Sequence, residues 1–129
     1  ITLSSGHKAE AIYFNRPDKQ VICLSTQLSC AVGCVFCASP DGNKTVNLSQ
    51  QDMLEQIDYM GQYADPNKLM LYSFMGEGEP MQNLMRVQSV IDTLIDDHEY
   101  KEIKFSVSTS GAKPSKIVDF AYFVGVCTR

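Results

Sequence analysis

The chain has no run of eighteen apolar residues, which leaves no candidate for a helix that spans a bilayer. Its first residues, Ile1-Thr2-Leu3-Ser4-Ser5-Gly6, lack a basic stretch leading into an apolar segment, so no secretory signal is expected. Low-complexity and linker-like segments are missing, and 129 residues with 44% apolar content fit a single domain with a real core. Charge is sparse at 20%, and the net charge of −4 gives no overall attraction to nucleic acid. The most telling shortage is a fourth cysteine. Three of the five crowd into Cys30-Ala31-Val32-Gly33-Cys34-Val35-Phe36-Cys37, and neither of the others, nor His7 or His98, joins them at metal-ligand spacing.

That shortage narrows the chemistry. Thiolate sulfur suits zinc and iron–sulfur clusters. A closed structural zinc site wants four ligands, usually as two pairs from separate segments. An electron-transfer ferredoxin would need a fourth cysteine for the same cluster. Three thiolates on a four-iron cubane instead leave one iron open to bind something else. The bland alternative is a chance run of buried cysteines in an apolar loop. Without an export signal, the cysteines read as thiols kept reduced in the cytoplasm for a metal.

A strand–loop–helix unit recurs three times. Residues 20–26 form a β-leaning run that ends just before the cysteine loop. Ser49 is a candidate N-cap for a helix over 50–64, in which Met53, Leu54, Ile57 and Met60 recur at helical spacing before Asp65-Pro66-Asn67 stops it. Residues 68–74 make a nearly continuous apolar strand, the pattern of a sheet buried on both faces. It runs into Met75-Gly76-Glu77-Gly78-Glu79-Pro80, and a second helix follows over 84–96. A third strand covers 103–109, a third helix starts near Pro114 and reaches about Phe123, and Val124 onward reads as the start of a fourth strand. Ahead of them, alternation in residues 8–14 suggests a hairpin strand.

Strands alternating with helices imply a parallel sheet with right-handed crossovers. Each strand's carboxyl end is followed by small or polar residues without a packing purpose: the cysteine loop, then Gly-Glu-Gly-Glu-Pro, then Ser108-Thr109-Ser110-Gly111. Ligands bind on that rim in parallel α/β architectures. Three such loops on one rim describe one site.

The cysteine spacing resembles the cluster motif of the radical S-adenosylmethionine (SAM) superfamily. With Cys23-Leu24-Ser25-Thr26-Gln27-Leu28-Ser29-Cys30, Asn47-Leu48, the run from Met75 to Asn83 and Ser108-Thr109-Ser110-Gly111, the chain resembles the RlmN/Cfr family. These are radical SAM methyltransferases that act on adenine C2 or C8 in ribosomal RNA and, for RlmN, in tRNA. The similarity runs from near Gly6 to about Pro114 and corresponds to the middle of a longer family member. It implies an α/β fold: a partial (β/α) barrel of about three units over 20–129, preceded by a β-hairpin extension over 1–19. It further implies that Cys30, Cys34 and Cys37 hold a [4Fe–4S] cluster, with Phe36 shielding it, and that SAM occupies the open iron for reductive cleavage to a 5′-deoxyadenosyl radical. Gly78, Glu79 and Ser108 would contact SAM. Glu10 would accept a proton, and Cys23 would help release product from a covalent protein–RNA adduct through a disulfide with a second cysteine. An electron donor such as flavodoxin or ferredoxin is implied as partner.

The residues taken alone leave other readings open. A strand cysteine such as Cys23 is usually a small core residue. Gly-Glu-Gly-Glu-Pro can be only a turn, and Glu10 only a solvated carboxylate. The sequence also departs from the family. Between Cys37 and Asn47 the usual basic and aromatic residues give way to Ser39-Pro40-Asp41-Gly42-Asn43-Lys44-Thr45-Val46, with Val46 where an arginine is expected. Glu77 replaces an apolar or amide residue, and Cys127 falls too early to serve as the methyl-carrying cysteine. Together with the acidic balance, these argue against RNA as substrate. From Lys101 onward, five bases outnumber two acids, a distribution that fits solvated surface lysines. Half a barrel leaves its last strand with an open edge, so the chain is either a fragment or pairs with another copy. The alternatives to an RNA methylating enzyme are a non-catalytic iron–sulfur or metal-binding domain, and a radical SAM enzyme with a peptide or small-molecule substrate.

Overall fold

A computed structural model describes residues 1–38 and 44–127, without the side chains of 126 and 127. Residues 39–43, where the sequence departs from the family pattern, lie outside the described residues. Three parallel strands carry the fold: β2 (Gln20–Cys23), β5 (Met70–Phe74) and β6 (Ile103–Val107). An antiparallel edge strand, β1 (Ile12–Asn15), completes a sheet of order β1-β2-β5-β6. The β1–β2 hairpin is thus part of the main sheet, turning where the Arg16 amide donates to the Lys19 carbonyl at 2.8 Å. A separate two-rung ladder joins β3 (Gln27–Leu28) to β4 (Val46–Asn47), and the cysteine loop lies between its two strands. Helices α1 (Gln50–Gly61) and α2 (Leu84–Asp96) supply the crossovers, and α3 (Pro114–Cys127) follows β6.

Alternation along the strands decides what faces the helices. Ile22, Met70, Tyr72 and Phe74 are buried against Met53 and Ile57 of α1 and Val87, Val90, Ile91 and Leu94 of α2. Burying each such side chain contributes about 1.5–3 kcal/mol. The other face is different. Register places Cys23 beside Ser73 and Ser73 beside Ser106, a row of small polar side chains across the parallel strands. As expected of a strand covered on both faces, no residue of β5 is exposed: Met70, Tyr72 and Phe74 join the core beneath the helices, while Ser73 is buried and Leu71 half-buried on the other face.

Ser49 caps α1 as expected. Its hydroxyl accepts from the Asp52 amide at 3.0 Å while the Asp52 carboxylate accepts from the Ser49 amide at 2.9 Å, a reciprocal capping box. The helix ends at Gly61, short of residue 64. Among the described residues no strand begins at Val124; α3 instead continues through Cys127, across Gly125. Strand β6 also ends earlier than expected, at Val107, so Ser108 and Thr109 belong to the rim loop. It is the last strand in the sheet order, and among the described residues its outer edge has no partner. No helix among the described residues is long and apolar enough to cross a membrane.

Candidate cluster and cofactor site

The carboxyl ends of β2, β5 and β6 meet at one rim, and a cavity of about 250 Å³ opens there. Cys30, Cys34 and Cys37 line it from the first loop, Gly78 and Glu79 from the second, and Ser108 from the third. Every candidate cofactor residue read from the sequence thus borders one space. Phe36 lines it too, yet is 90% exposed, an unusual state for an aromatic ring beside a cavity. The loop turns through Gly33, whose φ of +66° suits glycine, and through a bond from the Cys37 amide to the Cys34 carbonyl at 3.0 Å. Three thiols within eight residues match the donor set of a cluster with one open iron. Among the described residues, however, no three His, Cys, Asp or Glu side chains are gathered closely enough to form a metal-binding group.

A second cavity, about 750 Å³, adjoins the first. It shares Cys37, Met75 and Gly76 with it and is otherwise bordered by residues that include Glu10, Cys23 and Glu77. The two residues expected to do chemistry outside the cluster therefore border the same space. Cys23 sits at the end of β2, where burial pushes its thiol pKa up against opposing hydrogen bonds with Met75 backbone and Ser73. The thiol stays protonated at neutral pH. Glu10 precedes β1 rather than lying within a strand, and its side chain is exposed; its backbone carbonyl accepts from the Ser25 hydroxyl at 2.7 Å.

Buried amides, to which the sequence reading gave no role, fasten the rim. Gln27 donates to Asn47 Oδ1 at 2.7 Å, pinching the base of the cysteine loop, and accepts from the Glu79 amide at 2.8 Å. Asn83 donates to the carbonyls of Thr26 and Leu48 at 2.8 and 2.9 Å. Gln56 reaches from α1 to both backbone groups of Ser25.

The second loop is held close to the first by its glycines. A Cβ on Gly76 would lie 2.6 Å from the Leu24 carbonyl oxygen. One on Gly78, at φ +111°, would lie 2.7 Å from Gln27 Cβ and 2.8 Å from the Thr26 hydroxyl. The glycine at 78 is thus required by the protein's own packing, whatever else approaches it. That Thr26 hydroxyl is, among the described residues, a buried polar atom without a hydrogen-bond partner. Glu79 is only 2% exposed, and its carboxylate accepts four hydrogen bonds, from Thr109, Ser110 (amide and hydroxyl) and the Met81 amide. Burial works to raise its pKa, but these donors outweigh it and hold the carboxyl below its ordinary value.

Comparison with known proteins finds RNA methyltransferases. The dual-specificity RNA methyltransferase RlmN of Halorhodospira halophila is 31% identical over 113 residues, covering 86% of this chain and 32% of that protein. The chain is similar to part of an RlmN protein. Its RlmN relative from Anaeromyxobacter sp. is 32% identical over 118 residues, and a probable RlmN of Desulfitobacterium hafniense is 39% identical over 104. The chain spans about a third of the length of these RlmN proteins. No protein-family model matches it. The crystal structure of a radical SAM methyltransferase from Sphaerobacter thermophilus superposes with a TM-score of 0.65 at 26% identity, over 81% of this chain and 33% of that one. The mixed α/β fold with its parallel sheet is therefore that of part of a radical SAM methyltransferase.

Proposed function

We propose that the chain forms part of a cytoplasmic radical SAM enzyme of the RNA-adenine methylating branch, with residues 20–129 as the first half of a (β/α) barrel and 1–19 as its extension. The observation that carries this reading is the convergence of all six candidate cofactor residues, from three separate loops, on one cavity. Cys30, Cys34 and Cys37 would hold a [4Fe–4S] cluster, for which the loop's three thiols are the right donors. When bound, the cluster and SAM supply a 5′-deoxyadenosyl radical by one-electron cleavage, the electron coming from a flavodoxin- or ferredoxin-type donor. Gly78, Glu79 and Ser108 would form the wall against which SAM is oriented. Phe36, exposed at the cavity's margin, would cover the site and exclude water.

The adjoining cavity would take the substrate. Glu10 borders it and would take the proton-acceptor role that the resemblance implies, and Cys23 borders it with a thiol whose pKa burial raises, held beside Ser73. The names of the relatives support an RNA substrate; Val46, Glu77 and the net charge of −4 weigh against it.

Anaerobic reconstitution with iron and sulfide tests the reading. The expected result is a reducible cluster whose electron paramagnetic resonance spectrum changes on adding SAM, followed by release of 5′-deoxyadenosine. A cluster indifferent to SAM would leave a metal-binding domain without radical chemistry, and bound zinc would remove the cluster itself.

A further inference from the structure

Glu77 borders the second cavity and stands where the resemblance leads one to expect an apolar or amide side chain. Its backbone is fixed at both ends. The amide donates to the Ser25 hydroxyl at 2.9 Å, and the carbonyl accepts from the Thr26 and Gln27 amides at 2.9 and 3.2 Å. A Cβ on either flanking glycine, Gly76 or Gly78, would collide with residues 24–27. Successive side chains of an extended chain alternate, so Glu77 is turned off that segment and toward the cavity it borders. The residue is half-buried, and among the described residues its carboxylate has no hydrogen bond or ion pair.

The other charged groups facing this cavity are Lys8 and Glu10, and its thiols are Cys23 and Cys37. Two carboxylates against one ammonium disfavour a phosphate there, since like charges brought together repel. A carboxylate only accepts hydrogen bonds, so it suits N–H donors. Exocyclic amino groups are such donors, and an unpaired base offers them at its edge. We infer that Glu77 is a specificity-determining residue: its carboxylate accepts from the exocyclic amino group of an unpaired RNA base that enters the second cavity, with the phosphates left outside. The inference deepens the RNA-methylating reading and rests on it for the class of substrate. Glu77 then weighs against phosphate in this cavity and not against RNA.

Nucleoside titration of the full 129-residue chain, with its thiols reduced and followed by NMR, tests this without cluster or turnover. Adenosine and purine riboside differ only in the exocyclic amino group. The parent should bind adenosine about tenfold more tightly, the size expected of a hydrogen bond to a charged group. Shifts should fall on the amides of Glu10 and Cys23, which border only the second cavity. Shifts at Gly78 and Ser108 instead would mean binding in the first cavity and overturn the inference. Glu77→Met should bring the affinity ratio to about one, and Glu77→Gln, with one acceptor oxygen left, to an intermediate value. A variant that fails to fold would show that the carboxylate serves the protein itself, which also overturns the inference. So would a preference that survives Glu77→Met and falls in Glu10→Gln. Equal binding of both nucleosides by the parent would overturn the role of Glu77 while keeping an RNA base in the cavity; binding of neither would remove the base as well.

Discussion

Replacing Gly78 by alanine tests whether the rim is set by backbone packing. The φ of +111° is a region that L-residues avoid at a cost of about 1–2 kcal/mol. The new methyl would also lie 2.7 Å from Gln27 Cβ and 2.8 Å from the Gln27 amide nitrogen. These are backbone-anchored atoms, so the Thr26–Gln27 strand must shift, a form of overpacking worth about 1–3 kcal/mol. The total, about 2–5 kcal/mol, is a large fraction of the 5–15 kcal/mol that is typical of a domain. Gly111 supplies the control. Its φ is +78°, yet a Cβ there would meet nothing within 4 Å, so Gly111→Ala should lose only the backbone part. Alanine's effect on the unfolded chain is common to both and cancels in the difference. Urea denaturation of the two variants should therefore separate them by about 1–3 kcal/mol. Equal losses, or a milder loss at Gly78, would refute the claim that this glycine is demanded by contact with the first rim loop.

Further outcomes follow from the same geometry. Cys34→Ala should abolish the visible absorbance of the reconstituted chain while Cys23→Ala spares it, since Cys23 borders only the second cavity; equal loss in both would reject that division. Ser49→Ala should cost about 1 kcal/mol in urea denaturation through loss of the α1 cap, and no measurable loss would mean the capping box is not formed in solution. Glu79 has a folded-state pKa below its ordinary 4.5, so its stabilisation is present above about pH 4.5 and is lost as pH falls through the folded value. The stability gap between the parent and Glu79→Gln should narrow as the pH drops from about 6 to about 3, and a constant gap would show that the carboxylate's charge is not what its hydrogen bonds use.

Much of this was readable in the residues because the period of apolar positions and the strand-end loops carry the information locally. The helix α2 boundaries follow from Leu84, Val87, Val90, Ile91 and Leu94 alone, and the α1 start from Ser49. The three rim loops could be placed together because parallel connectivity forces strand ends onto one side. What escaped depended on partners distant in sequence. Nothing near Gln27 announces that Asn47 and Glu79 will satisfy it, and Gly78 reads as room for a ligand until Thr26 is seen beside it. The direction of α3 past Val124 was missed because β-branched residues suit either state when the packing is unknown.

The cysteine loop leaves and rejoins the protein through the two rungs of β3 and β4, with Gln27 and Asn47 latched across its neck and α1 capped immediately beyond. Such a tethered purse can be emptied or filled without unthreading the globule beneath it. Loading should therefore leave the melting of the body nearly unchanged, in contrast to small zinc domains whose folding is the binding event.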